Sequence, residues 1–150
     1  MESTNQEYFN ALNQLREAQA SLQSRWIIET VKHLAIINIA GLAGSSALLK
    51  IAEIALTPVK VSLVLFFLGL VLTVVDFHLN SLAFLAQVNE TDRARIAFRA
   101  AETAGEVSRH GIPKSSAGQS LFKAAGTVGW ISALLALSGG SLIAYAVLCG

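Results

Sequence analysis

Cysteine is nearly missing from these 150 residues: Cys149 is the one thiol. No internal disulfide can staple the fold, and no redox compartment is implied. Proline occurs twice, at Pro58 and Pro113, so the stretches before, between and after them are free to run as long helices. Charge is scarce, at 14% of residues, against roughly a quarter in soluble domains. That is too little to cover a soluble surface, and 53% apolar residues exclude a disordered chain. The net charge of +1 gives no reason to expect a nucleic-acid partner. Enzyme motifs are missing too: there is no HExxH, no phosphate-cradling glycine loop, no GxSxG and no cysteine pair. The expectation is a protein that is not an enzyme and carries no metal or cofactor.

What is present is hydropathy, with a mean of +0.56. Residues 33–49, 61–75 and 124–150 contain no Asp, Glu, Lys or Arg. A bilayer core of about 30 Å demands runs of this kind. They predict an all-α integral membrane protein with three transmembrane helices, at about 27–49, 59–85 and 124–148. Residues 1–26 are polar and include Glu2, Glu7, Arg16 and Glu17, unlike a secretory signal. Tyr8, Leu12, Leu15, Leu22 and Trp26 fall at helical spacings there, so an amphipathic N-terminal helix is expected to run into the first span. The second helix is expected to continue past its span into a charged cytoplasmic extension. That extension lies within the polar segment 86–123, and Gly111 and Pro113 would end it. Ser116 and Gln119 resemble a capping box opening the last helix.

Six of the eleven basic residues lie between Arg93 and Lys123. Basic residues favour the cytoplasmic side, so three crossings would leave the N-terminus inside and the C-terminus outside.

Inside the second span, Ser62, Gly69, Thr73, Asp76, Asn80, Ala83 and Gln87 share one phase with Phe66, at alternating steps of three and four. Such a stripe must face protein or water, not lipid. It either lines a pore, with Asp76 about 6 Å inside the membrane boundary at helical rise, or packs on other helices. The first and third spans are rich in small residues that allow close helix approach. Ala40, Gly41, Gly44 and Ser45 are the packing candidates in the first, and Gly129, Ser132, Ala136 and Gly139 in the third. Gly41 and Gly44 are three apart, so they do not form GxxxG.

Two functions follow from these features. One is a small homo-oligomeric pore or channel, holin-like or membrane-disrupting, by analogy of architecture alone. The alternative is an accessory or anchor subunit of a larger membrane complex. Its sharpest version would hold a haem between His33 and His78, which sit at similar expected depth. The partners expected are the lipid bilayer, further copies of the chain, and a cytoplasmic protein meeting residues 1–26 and 86–110.

Overall fold

A computed structural model describes residues 2–50, 56–100 and 118–149, with some side chains toward the polar helix ends left out. Three helices account for nearly all of them: α1 (Glu2–Leu48), α2 (Leu56–Ala100) and α3 (Gln119–Cys149). Each has a segment long and apolar enough to cross a membrane: Arg25–Leu48, Thr57–Arg93 and Gln119–Cys149. The chain is therefore a multi-pass membrane protein.

Helix α1 is a single rod of 47 residues, about 70 Å at helical rise. No glycine or proline occurs before Gly41, so nothing interrupts it between its polar start and its apolar end. Residues 2–26 are thus helically continuous with the first span. Of the expected apolar stripe, Leu15 and Trp26 are exposed; the side chains of Tyr8, Leu12 and Leu22 lie outside the described residues. A last turn closes α1, where the Leu49 and Lys50 amides donate to the Ser45 and Ala47 carbonyls. Pro58 stands in the first turn of α2, where its missing N–H removes no helical bond. The expected end of α2 at Gly111 and Pro113 and the cap at Ser116 lie outside the described residues.

Side-chain contacts fix the directions. Ser45 and Asn38 of α1 meet Ser62 and Thr73 of α2, so these helices are antiparallel. Gly139 and Ser132 of α3 meet the same two α2 residues, so α3 is antiparallel to α2 as well. Helix α2 is the centre, packed on both neighbours, and α1 and α3 touch each other much less. The start of α1, the end of α2 and the start of α3 therefore share one end of the bundle.

The inward faces keep a seven-residue repeat. Among the described side chains of α2, Val59, Ser62, Phe66, Gly69, Thr73, Asp76 and Ala83 are the buried positions, with Asn80 half-buried in the same series. On α3 the buried positions are Ala125, Ser132, Ala136, Gly139 and Ala146. Steps of three and four average 3.5 residues, just under the helical 3.6, so the seam stays on one face only if the helices wind left-handed about each other. Outward hydroxyls satisfy themselves: Ser46, Thr127, Ser138 and Ser141 each donate to the carbonyl four residues earlier. That spares lipid an unpaired polar group.

Candidate functional site

The polar residues of the bundle form three tiers along the α2 seam. Nearest the α1–α2 connection, Ser62 donates to the Gly139 carbonyl of α3 at 2.7 Å, and the Ser45 hydroxyl of α1 lies 3.4 Å from that of Ser62. Ser45 itself donates to the Gly41 carbonyl at 2.7 Å. Both serines are fully buried.

Beneath them the Phe66 ring fills the seam. It occupies the space where Gly41 of α1 would carry a Cβ, and it crowds that of Gly139 of α3 at 3.0 Å. Glycine on both sides is what lets three helices close around an aromatic ring.

The second tier joins one polar residue from each helix. Asn38 of α1 donates through Nδ2 to the Leu34 carbonyl at 2.9 Å. The same nitrogen lies 3.5 Å from Thr73 Oγ1 and 3.3 Å from Ser132 Oγ. The Thr73 and Ser132 hydroxyls are 2.9 Å apart, and both reach the Gly69 carbonyl at 2.8 Å. The protons suffice if Asn38 donates to Thr73, Thr73 to Ser132 and Ser132 to Gly69. Asn38 Oδ1 is buried without a conventional partner. It abuts Gly69, filling the place a Cβ would take, so the Gly69 Cα–H is aimed at it as a weak donor.

Asp76 and Asn80 make the third tier, and here the seam opens. Asn80 Nδ2 donates to Asp76 Oδ1 at 2.8 Å and to the Asp76 carbonyl at 3.0 Å. The second carboxylate oxygen faces Gly129 of α3, 3.1 Å from where a Cβ would stand. Asp76 and Asn80 are the α2 residues of a cleft of about 420 Å³ between α1 and α3. Trp26, Ile27, Thr30, Val31 and Leu34 supply the α1 wall, and Phe122, Gly126, Gly129, Trp130 and Ala133 the α3 wall. Further along the seam, Gly118 (φ 78°) immediately precedes α3, and the Ala83 backbone occupies the place a Cβ on it would take. Only glycine suits both that left-handed conformation and that approach. Its carbonyl accepts from the Phe122 amide at 2.9 Å.

The α2 stripe read from the sequence thus lies inside one protomer. Ser62, Gly69, Thr73, Asp76 and Ala83 are buried, while Asn80 and Gln87 are half-buried. On α3, Ser132, Ala136 and Gly139 are buried and Gly129 is half-buried against Asp76. On α1, Gly41 and Ser45 face the seam. The expectation that Ala40 and Gly44 pack beside them fails within the protomer. Both are exposed, and nothing lies within 4 Å of a Cβ built on Gly44. Helical geometry turns residues one position away from Gly41 and Ser45 out of the contact. His33 and His78 are exposed and line no part of the cleft, so the bundle interior does not present them as paired axial ligands. Among the described residues no three His, Cys, Asp or Glu gather as a metal site.

Sequence reasoning missed the cleft itself. Trp26 and Trp130 are 104 positions apart in sequence and meet the same space only because α1 and α3 both flank α2. Comparison with known protein families, curated proteins and solved structures finds no match.

Proposed function

We propose that the chain is an accessory or anchor subunit of a larger membrane complex. The bundle fixes it in the bilayer, and the polar ends of α1 and α2 form a helical platform that docks a partner. The observation that carries this over a pore is the α2 stripe. Ser62 and Thr73 are hydrogen-bonded to α3 of their own chain, and Phe66 plugs the seam between them, leaving no polar surface there for a water path. The platform is supported by α1 and α2 running on past their spans at one end of the bundle. Leu15 and Ile96, outside the spans, are 40% and 68% exposed. The basic residues between Arg93 and Lys123 favour the cytoplasm for this end, and this reading takes the C-terminus to lie on the far side.

A homo-oligomeric pore is the second reading. Gly44, Gly126 and Gly140 favour it, because no atom occupies the space beside them and another copy could approach closely there. Its path would run between copies rather than along the α2 stripe.

Site-specific photo-crosslinkers at Leu15 and Ile96 in cells, combined with ion flux in proteoliposomes, separate the two. The anchor predicts a discrete adduct with a different protein and no flux from the purified chain. A ladder in steps of 15.9 kDa together with flux would overturn it in favour of the pore.

A further inference from the structure

The cleft at the third tier has a composition that selects its occupant. Asp76 is its one charged residue, 4% exposed, and Asn80 satisfies one of its oxygens. The other oxygen faces Gly129, which has no side chain to cover it. No Lys, Arg or His lines the cleft. A carboxylate within a membrane span calls for a cation or for water. The remaining walls are mostly apolar, and they include both tryptophans of the chain. These indoles are 76% and 74% exposed, so their faces are open to a ligand and suited to cation–π contact.

We propose that this cleft binds a monovalent organic cation with an apolar body, such as a quaternary ammonium, a phosphonium or a protonated amphiphilic amine. The cationic centre sits on Asp76 and its substituents lie between Trp26 and Trp130. A volume of about 420 Å³ lies within the range of small-molecule sites, roughly 300–1,000 Å³. Inorganic cations fit poorly: a hydrated ion would gain nothing from the indoles, and a divalent ion would find a single carboxylate. An anion would meet Asp76, and a neutral acyl chain would leave it unpaired. An ammonium-headed lipid carries the same chemistry as a free amine, and the site accepts either.

The test uses the full chain in dodecyl maltoside, a detergent without charge, and tetraphenylphosphonium as the probe. Both tryptophans line the cleft, so intrinsic fluorescence reports occupancy directly, and equilibrium dialysis gives the stoichiometry. Saturable binding of one probe per chain is expected, with a fluorescence change that sodium chloride does not reproduce. Asp76→Asn is expected to weaken binding at least about tenfold, as removal of the cleft's one countercharge implies. Ala133→Phe is expected to abolish it by filling the cleft while keeping the carboxylate, with helical content checked by circular dichroism in both variants. Added phosphatidylethanolamine that displaces the probe would identify a lipid headgroup as resident. Failure to displace would identify a free cation, and both results keep the site. Absence of saturable binding to the unmodified chain, or affinities for both variants within about twofold of it, would overturn the proposal.

Discussion

The two ends of the α2 seam use the same residue types to opposite effect. Near the α1–α2 connection, Ser45, Ser62 and Phe66 are enclosed by Gly41 and Gly139, and each hydroxyl has a backbone carbonyl to receive its proton. At the other end, Asn80 satisfies one Asp76 oxygen on the same helix, and a cleft lies between the α1 and α3 walls. The difference lies in what faces the polar group. Glycine opposite an aromatic ring closes the gap, whereas glycine opposite a carboxylate, flanked by two outward tryptophans, leaves it open. Polar residues in this bundle therefore act as packing where neighbouring helices supply acceptors, and at Asp76 they border an open cleft.

Substitutions should separate the closed end from the open one. The largest effect is expected from Phe66→Ala, which empties the sealed layer. A loss of about 3 kcal/mol in detergent-unfolding stability follows from the cost of large-to-small core changes. Gly69→Ala comes next, because its methyl would enter the space held by Asn38 Oδ1. About 1–3 kcal/mol should be lost, the usual range for overpacking, with Gly44→Ala as the matched control. Thr73→Val and Ser132→Ala probe the middle tier. A double-mutant cycle should return a coupling of about 0.6 kcal/mol, with 1.7 as the rough ceiling for such membrane hydrogen bonds. Asp76→Asn, at the open end, should change stability by under about 1 kcal/mol, since an amide oxygen can still accept from Asn80 and no described partner is orphaned. Smallest of all, Gly44→Ala and Gly140→Ala, with nothing within 4 Å, should stay within about 0.5 kcal/mol of the parent. A large loss at either position in an assembled particle would instead locate a contact between copies.

Much of the fold was legible because the bilayer leaves a sequence few options. Uncharged runs set the three helices, and in α2 the polar residues stood out against Val, Leu and Phe, so their three-and-four spacing showed the inward face directly. On α3 the contrast fails. Gly126, Gly129, Ser132, Ser138, Gly139, Gly140 and Ser141 are all small, and only contact with α2 sorts Ser132 and Gly139 inward from Ser138 and Gly140 outward. Ala40 and Gly44 were illegible in the same way, being small residues beside other small residues. The Asp76 cleft is walled by α1 on one side and α3 on the other, a long-range property that no local spacing encodes. The carboxylate was legible, but its setting between two tryptophans was not.

The central claim is that the α2 stripe from Ser62 to Thr73 is a dry seam within one chain. Thiol accessibility in proteoliposomes tests it most directly, with Cys149, which is exposed, replaced by serine. Single cysteines at Ser62 and Thr73, both at most 1% exposed, should resist a small water-soluble methanethiosulfonate reagent from either side of the membrane. Asn80→Cys, at the cleft, should react. Rapid modification of Ser62→Cys and Thr73→Cys, with a matching change in ion flux, would show a water path along the stripe and contradict the account.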